Sequence, residues 1–387
     1  MSTIHAPFKS RRSFLQTMAA VGVGTAATRL TAQEKIILAP PDAQPADVML
    51  PEPVKRKLGW AIVGLGKLAI EEILPAFAES KYSKPTALVS GHPDKAGKIA
   101  DYYGIGQEHI YNYDNYDKLA NDETVDVIYI VLPNSMHAEF TIRGLKAGKH
   151  VFCEKPMAGN VEECEQMIKA SQETGKKLGI AYRLHYEPMN MKVMQLCKDK
   201  AFGDIKLFSS SNCQDVKAPN IRLSKELDGG PLGDIGIYSI NAARYCIGQE
   251  PTEVFATAYH GDDVRFREVP QSVAYTMKYP GDILASCECS FSTTESRRFR
   301  VVGTEGFVEM DPSFSYRGLK LFSQNAEKQL IQHSLPQVDH FASEMDNFSQ
   351  CVLQNRETKT PGEMGLLDAK IIAALRKSIE SGRVETV

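Results

Sequence analysis

The sequence lacks a surplus of basic residues. Its 387 residues contain 45 Lys and Arg against 48 Asp and Glu, which gives a formal net charge of −3. A nucleic-acid-binding surface needs clustered positive charge, so we expect no nucleic-acid partner. With 43% hydrophobic and 24% charged residues, the composition is that of an ordinary globular protein.

Metal-ligand patterns are also absent from the sequence. None of the nine histidines stands in an H-E-x-x-H motif. Cys287 and Cys289 form a C-x-C pair whose side chains we expect on opposite faces of a strand, and no second pair completes a zinc site. Five of the eight cysteines lie in apolar-patterned segments, and we expect them in the core: Cys153, Cys164, Cys197, Cys246 and Cys351. We therefore predict no metal site.

No long hydrophobic run is present either. The uncharged stretch 13–28 is too short and too weakly apolar to span a bilayer, so we expect no stable membrane anchor. It follows Arg11 and Arg12 in SRRSFLQ (residues 10–16), which is typical of a twin-arginine secretory signal. The alternative is a chance arginine pair in a disordered N-terminus. We predict a signal peptide over 1–32, recognition by the twin-arginine export machinery, and a periplasmic protein that is exported folded.

Three further segments follow the leader. Residues 33–58 contain five prolines and few large apolar residues, which predicts an extended arm. Over 59–180, short β-rich runs alternate with helical patterns, which predicts a doubly wound parallel sheet, the Rossmann dinucleotide-binding fold. Over 181–387, the succession of strands and turns predicts an α+β substrate and oligomerisation domain with a large, mostly antiparallel, open-faced sheet. Its two C-terminal helices are expected to pack back on the first domain.

The first predicted strand ends in a glycine-rich turn with the pattern G-x-G-x-x-A. The first glycine allows the tight turn, the second allows a pyrophosphate to approach the backbone, and the alanine allows close helix–strand packing. The following helix supplies free N–H groups for the phosphates. This motif predicts cofactor contacts from six consecutive residues: Gly64, Leu65, Gly66, Lys67, Leu68 and Ala69.

The end of the second predicted strand indicates which dinucleotide is bound. An NAD site would place Asp or Glu there to bind the ribose hydroxyls. The strand instead ends at Ser90, and Lys95 follows within about one turn. A hydroxyl and an ammonium group suit a 2′-phosphate, which favours NADP over NAD. The alternative is an ordinary loop with a solvated lysine.

Two constellations carry candidate chemistry. Glu154-Lys155-Pro156 follows a strand at the carboxyl edge of the sheet, where ligands of such folds bind, and places a cation beside the nicotinamide. Asp234 and Tyr238 stand four residues apart on one helical face. Oxidation of a carbinol needs a base for the hydroxyl proton, and a tyrosine can accept it when a cation such as Lys155 favours the phenolate. Without Lys155, a helix-terminal aspartate beside a half-buried tyrosine would be the better interpretation.

In order and spacing, these motifs resemble the family of glucose–fructose oxidoreductase, inositol dehydrogenase and rhizopine catabolism proteins, in particular its glucose–fructose branch. In that branch tyrosine stands where the family generally has histidine, here Tyr238. The resemblance rests on the following segments: WAIVGLGK (60–67), ALVSG (87–91), LPNS (132–135), HAEF (137–140), AGKHV (147–151), CEKPMA (153–158), YR (182–183), HY (185–186), PMN (188–190) and DIGIY (234–238).

The resemblance implies roles for individual residues. Lys155, Asp234 and Tyr238 would form the catalytic group. Ile221 replaces a tryptophan that the resemblance would place near the sugar. Contacts to the cofactor, beyond those of the glycine motif, would come from residues at the edge of the sheet: Ser90, Lys95, Tyr113, Leu132, Pro133, Asn134, His137, Glu154, Lys155 and Arg183.

Together these features predict a periplasmic NADP-dependent sugar oxidoreductase. The periplasm offers no evident supply of nicotinamide cofactor, so NADP is expected to be tightly bound and not exchanged between turnovers. An aldose such as glucose would be oxidised to its lactone, and a second sugar would be reduced, either fructose to sorbitol or another aldose. The alternatives are a nicotinamide-dependent glycoside hydrolase of the same superfamily and a simple aldose dehydrogenase. We expect a homodimer or homotetramer that associates through the open sheet face, with the arm across the cofactor.

Overall fold

The computed structural model describes residues 56–387. The predicted signal peptide and all but the last three residues of the predicted arm lie outside this range. Within it, the chain forms two sheets, one of six strands and one of nine. Among the described residues, no helix combines the length and apolar character needed to cross a bilayer.

The six-stranded sheet is the parallel sheet expected of a Rossmann domain. Its strand order is β3-β2-β1-β4-β5-β6, and every pair is parallel. The order reverses beside β1, which creates the crevice where ligands of such sheets bind. Its strands are β1 (Leu58–Val63), β2 (Ser83–Val89), β3 (Ile110–Tyr111), β4 (Val127–Ile130), β5 (His150–Glu154) and β6 (Leu178–Ala181).

Four helices lie between these strands: α1 (Leu74–Ala76), α2 (Pro93–Tyr103), α3 (His137–Lys146) and α4 (Val161–Thr174). After β1 comes a π-helical turn, Ala69–Ile73, which continues into the short helix α1, Leu74–Ala76. Pro93 at its N-terminus and Gly104 beyond its C-terminus delimit α2. Asn160 caps α4, because its side chain accepts a hydrogen bond from the Glu163 N–H.

The nine-stranded sheet is mostly antiparallel and has one covered face. Only β7 and β10 pair in parallel, and the order is β14-β13-β12-β11-β7-β10-β9-β8-β15. Burial alternates along β9 and β10, as expected when one face packs and the other is open. The strands are β7 (Ile205–Asp215), β8 (Glu253–Tyr259), β9 (Ser272–Tyr279), β10 (Ile283–Ser290), β11 (Ser292–Gly303), β12 (Phe307–Met310), β13 (Leu321–Gln324), β14 (Leu330–His333) and β15 (Glu385–Thr386).

The expectation that Cys287 and Cys289 lie on opposite faces is wrong. Both side chains are buried on the covered face of β10, while Glu288 between them points outward. Side chains alternate along a strand with a period of two, so residues i and i+2 share a face. All eight cysteines are buried and free, and no group of three or more His, Cys, Asp or Glu side chains within residues 56–387 could hold a metal ion.

The helices of the second half pack against both sheets. Trp60 of β1 is fully buried among aromatic rings, and its indole N–H donates to the hydroxyl of Ser349 in α7 at 3.1 Å. In α8, Gly365 lies so close to Met157 that a Cβ would stand 2.7 Å from the Met157 Cβ. Both C-terminal helices therefore contact the Rossmann domain. The helices are α5 (Pro188–Lys198), α6 (Ile237–Ile247), α7 (His340–Leu353) and α8 (Gly362–Ser381), and a π-helical turn, Leu232–Gly236, precedes α6.

Candidate active site

The glycine turn after β1 has the geometry that a dinucleotide needs. Gly64 has φ of +94°, and a Cβ there would lie 2.2 Å from the Val131 carbonyl oxygen, so only glycine fits. At Gly66, by contrast, no heavy atom of residues 56–387 lies within 4 Å of the Cβ position, apart from the glycine and its chain neighbours. This open backbone stands directly before the first helical turn, whose amide groups can bind phosphate. The residues present therefore fit a bound pyrophosphate.

An open groove beside this turn contains Lys95, one of the two predicted 2′-phosphate residues, whereas Ser90 does not line it. Lys95 and Lys98 line it together with His92 and Ile70, although Asp94 also faces it. Ser90 is buried at the end of β2, where its hydroxyl accepts a hydrogen bond from the His92 N–H at 3.1 Å. The two ammonium groups fit an anionic phosphate better than a bare ribose hydroxyl.

The aromatic ring of Tyr113 closes one side of the second βα loop. A Cβ on Gly91 would lie 3.2 Å from this ring, so the loop passes directly beneath it. Tyr113 also packs edge-on against Phe140, with ring centroids 5.5 Å apart. Burial raises the pKa of the Tyr113 phenol above its ordinary value, so the ring remains neutral at physiological pH.

The loop after β4 holds a further group of predicted cofactor residues. Leu132 packs against the glycine turn, because a Cβ on Gly64 would lie 2.9 Å from its Cδ2. Pro133 leads into a 3₁₀ turn, and the side chain of Asn134 in that turn donates to the Asp228 carbonyl at 2.9 Å.

His137 does not line the cleft, because it is fully buried. Its Nδ1 lies 2.8 Å from the Pro156 carbonyl oxygen and its Nε2 lies 2.9 Å from that of Leu132. Burial lowers the pKa of His137 despite these two acceptors. The neutral imidazole has one N–H and donates it to one of these two carbonyl groups, so the side chain ties α3 to a loop at the cleft.

The three predicted catalytic residues come together from different parts of the chain. Lys155 follows β5, Asp234 lies in the π-helical turn and Tyr238 lies in the first turn of α6. The Lys155 Nζ lies 2.9 Å from the Asp234 carbonyl oxygen, 3.5 Å from Asp234 Oδ1 and 4.8 Å from the centre of the Tyr238 ring. An ammonium group this close stabilises negative charge that develops on the phenol oxygen.

The π-helical turn is held in place by side chains that bind its carbonyl groups. The Asp234 carbonyl accepts from Lys155, that of Ile235 from Asn212 at 2.9 Å, and that of Gly236 from Tyr275 at 2.9 Å. A π-turn displaces the regular i→i+4 bonding of a helix, and such turns are frequent at functional sites. Three consecutive carbonyl groups thereby gain partners that do not belong to the helix.

Charge is concentrated around Asp234. Burial would raise its pKa, but Arg222, whose Nε donates to Oδ2 at 2.6 Å, and Lys155 outweigh burial and lower it. Burial would lower the pKa of Lys155, yet the Coulomb effect of Tyr238 and Asp234 raises it above its ordinary value. At neutral pH the site therefore contains an ionised carboxylate with a cation on each side.

Arg183 places a further positive charge beside Tyr238. Its NH2 donates to the Phe314 carbonyl at 2.6 Å, and its guanidinium lies 5.3 Å from the Tyr238 ring centre and 4.6 Å from that of Tyr316. His340 lies 3.0 Å from Arg183 NH1, and burial together with this cation lowers its pKa to about 3. The neutral His340 can therefore accept a hydrogen bond from the arginine.

Glu154 lies behind the site, in a buried pair of carboxyl groups. The Tyr129 hydroxyl lies 2.8 Å from Glu154 Oε1 and 3.1 Å from Glu344 Oε1. The Tyr129 hydroxyl has one proton and can donate it to only one of the two carboxyl groups at a time. Burial raises the pKa of both glutamates, and the charge of Glu154 raises that of Glu344 further.

Several residues of the site carry no signal in the sequence. Phe314 and Tyr316 lie in the connection between β12 and β13, and Glu344 lies within α7, far along the chain from β5. Arg222 directly follows Ile221, which replaces the tryptophan that the family resemblance would place near the sugar. Its position next to Ile221 is the one feature of the sequence that points to Arg222. Ile221 itself is 50% exposed.

Comparison with known proteins agrees with this geometry. Residues 58–182 match the profile described as "Oxidoreductase family, NAD-binding Rossmann fold", of the GFO/IDH/MocA group. Residues 190–309 match the "GFO/IDH/MocA C-terminal domain". Together the two profiles cover more than half of the chain.

Individual relatives extend over nearly the whole described range. The NADP-dependent D-xylose 1-dehydrogenase of Haloarcula marismortui is 30% identical over 331 residues, which are 83% of this chain and 91% of the relative. The crystal structure of aldose-aldose oxidoreductase from Caulobacter crescentus, complexed with glycerol, is 38% identical. It covers 86% of this chain and 100% of its own with a TM-score of 0.83. A 3-ketoreductase from Actinomadura kijaniata in complex with NADP and TDP-benzene is 25% identical, with a TM-score of 0.75 and coverage of 84% and 98%.

Proposed function

Because this chain belongs to the GFO/IDH/MocA family of oxidoreductases, we propose that it couples the oxidation of an aldose to the reduction of a second sugar on one retained NADP. The observation that carries the proposal is the convergence of Lys155, Asp234 and Tyr238 at the carboxyl edge of the Rossmann sheet. The similarity to an aldose-aldose oxidoreductase and to an NADP-dependent xylose dehydrogenase supports a sugar as substrate.

In this proposal Tyr238 is the acid–base residue. Its phenolate oxygen takes the proton from the C1 hydroxyl of the aldose, and the sugar leaves as a lactone. Its phenol returns a proton to the carbonyl oxygen of the second sugar, as microscopic reversibility requires. Lys155 stabilises negative charge on the phenol oxygen in both halves of the cycle. Bound NADP, held by the glycine turn and the groove at Lys95, would supply hydride acceptance and donation.

Retention of the cofactor follows from the proposed location. The twin-arginine signal would bring the folded protein, with NADP bound, to the periplasm, where no evident supply replaces it. Cofactor oxidation and reduction must then alternate on the same molecule. The open sheet face, with Leu207 and Leu284 about half exposed on adjacent strands, supports association into a homodimer or homotetramer.

The decisive experiment measures products without added cofactor. Purified protein is given an aldose together with fructose or a second aldose, and the aldonic acid and polyol are quantified. We expect equal amounts of the two products and ping-pong kinetics, and an aldose that cannot accept hydride should reduce the bound cofactor once and stop. Formation of aldonic acid only with excess NADP would instead indicate a simple aldose dehydrogenase. Release of a sugar from an aryl glycoside, without acid or polyol, would indicate the hydrolase.

A further inference from the structure

The connection between β7 and α6 forms a closed loop at the edge of the site. Within it, the 3₁₀ turn Ile221–Leu223 is followed by two glycines that bring the chain back to its start. The Gly230 N–H donates to the Arg222 carbonyl at 2.9 Å, and the Gly229 N–H donates to that of Ser224 at 2.9 Å. A Cβ on Gly229 would stand 2.5 Å from the Arg222 carbonyl oxygen, so the closure requires glycine.

Asp228 attaches this loop to the rest of the protein. Its carboxylate accepts from Arg376 NH2 of α8 at 2.8 Å, and its carbonyl accepts from the Asn134 side chain at 2.9 Å. Arg376 also donates to the Gly159 carbonyl at 3.1 Å. The loop is thus tied to the Rossmann domain and to α8, which reduces the freedom of the residues it carries, Arg222 among them.

Arg222 is the most solvent-accessible charged group beside Asp234. Its side chain is 42% exposed, against 14% for Asp234 and 11% for Lys155. The Nε binds Asp234 Oδ2, while within residues 56–387 its two terminal nitrogens form no hydrogen bond. The charge of Asp234, with smaller contributions from Tyr316 and Tyr238, raises the pKa of Arg222, so it remains a cation.

These contacts leave Asp234 and Arg222 with different roles. Both carboxylate oxygens of Asp234 lie beside cations, Arg222 at 2.6 Å and Lys155 at 3.5 Å. The carboxylate is therefore already partly occupied by partners within the protein. The donors at the terminal edge of Arg222 have no hydrogen-bond partner in the described part of the chain. A guanidinium edge binds oxygen atoms in pairs, as carboxylates and neighbouring hydroxyl groups present them.

We propose that Arg222 is a substrate-specificity residue that binds hydroxyl oxygens of the aldose through its terminal nitrogens while its Nε orients Asp234. The ligand class is a neutral sugar with hydroxyl groups on neighbouring carbons, away from C1. This inference rests on the proposed function, because it assigns a contact within the same sugar site.

The test is a cycle of protein variants and deoxy sugars. Reduction of the bound cofactor is followed in single turnovers for the unsubstituted protein, Arg222→Ala and Arg222→Lys, with glucose and with analogues that lack one hydroxyl group but keep the C1 hydroxyl and the pyranose ring. Arg222→Ala should raise the half-saturating glucose concentration by about tenfold or more, the size expected for hydrogen bonds to a charged group. At least one deoxy sugar should have a higher half-saturating concentration than glucose in the unsubstituted protein. In Arg222→Ala the same deoxy sugar and glucose should have similar half-saturating concentrations. Free guanidinium ion should partly restore glucose binding to that variant.

Controls separate this role from a structural one. Arg356→Ala removes an exposed arginine in the turn after α7. This variant should leave the half-saturating concentration of every sugar unchanged. Equal deoxy-sugar penalties in the unsubstituted protein and in Arg222→Ala, with no guanidinium rescue, would overturn the inference and leave the proposed function intact. Failure of every aldose to reduce the cofactor of the unsubstituted protein would overturn both.

Discussion

Glu344 offers a sharp test of the electrostatics behind the active site. Its carboxyl group is fully buried, its Oε1 shares the Tyr129 hydroxyl with Glu154, and its Oε2 has no hydrogen-bond partner in the described part of the chain. Burial and the charge of Glu154 raise the pKa of Glu344 well above its ordinary value. The folded protein therefore keeps a proton that the unfolded chain loses above a pKa of about 4.3.

This proton makes stability depend on pH in a defined direction. Where the folded state binds more protons than the unfolded state, the free energy of unfolding falls as pH rises. For one proton the slope is about 1.4 kcal/mol per pH unit, between the unfolded pKa near 4.3 and the raised folded pKa. Glu344→Gln removes this titrating group, so the variant should lose less stability as pH rises, while the raised pKa of Glu154 leaves a smaller decline in place.

The measurement is the melting temperature of both proteins from pH 5 to pH 8. Glu344→Gln should lose less stability across this range than the unsubstituted protein does. Close to pH 5 the two should be similar, because an amide and a protonated carboxyl group are nearly isosteric. Parallel curves for the two proteins over the whole range would refute the reasoning.

Asp368 provides the matched control, because it is also a fully buried carboxyl group. Burial raises its pKa, and Arg244, whose NH1 lies 2.5 Å from Oδ1, reduces this rise together with hydrogen bonds from Tyr182 and Asn241. Asp368→Asn would leave the Arg244 guanidinium without one of its two carboxylates. We expect it to destabilise the protein by about 3 kcal/mol or more, the cost of breaking a buried ion pair. At pH 8 we therefore expect Glu344→Gln to stabilise the protein and Asp368→Asn to destabilise it. Because both carboxyl groups are equally buried, this difference would show that their hydrogen-bond and ion-pair partners decide whether the substitution stabilises or destabilises.

Three further predictions concern the cofactor and the chemistry. Tyr238→Phe and Lys155→Ala should each slow aldose-dependent reduction of the bound cofactor by about 10²-fold or more while the nucleotide stays bound, and near-normal single turnovers in Tyr238→Phe would exclude that residue as the base. Ser90→Asp should lower the ratio of NADP to NAD recovered from acid-denatured protein, because a carboxylate repels the 2′-phosphate and binds ribose hydroxyls; an unchanged ratio would contradict this. Deletion of residues 33–53 should speed NADP loss and weaken assembly, and unchanged nucleotide content with unchanged mass by light scattering would argue against the arm.

Much of the fold could be read from the sequence because its signals are local. Over 59–180 the alternation of short β-rich runs with helical patterns predicts a parallel sheet, and the six-stranded sheet is parallel in every pair. The strand Ile110–Tyr111 carries too little pattern for a prediction, because it has two residues. The helix Pro188–Lys198 was also missed, although Pro188 at its start and Glu187 as its cap are recognisable signals.

The sequence by itself identified the candidate residues. The glycine turn and the Glu154-Lys155-Pro156 segment each follow a strand, and the order of strands and helices places them at the carboxyl edge of a parallel sheet. The Asp234–Tyr238 pair lies in the second domain, and its position beside Lys155 is set by the tertiary structure. Only the tertiary structure decided which partners these groups meet. Arg222 on Asp234, Glu344 beside Glu154 and Tyr316 on Arg183 join residues that are 12, 190 and 133 positions apart. Charge and burial act through distance in space, and for pairs so far apart along the chain that distance is set by how the two sheets and α7 pack.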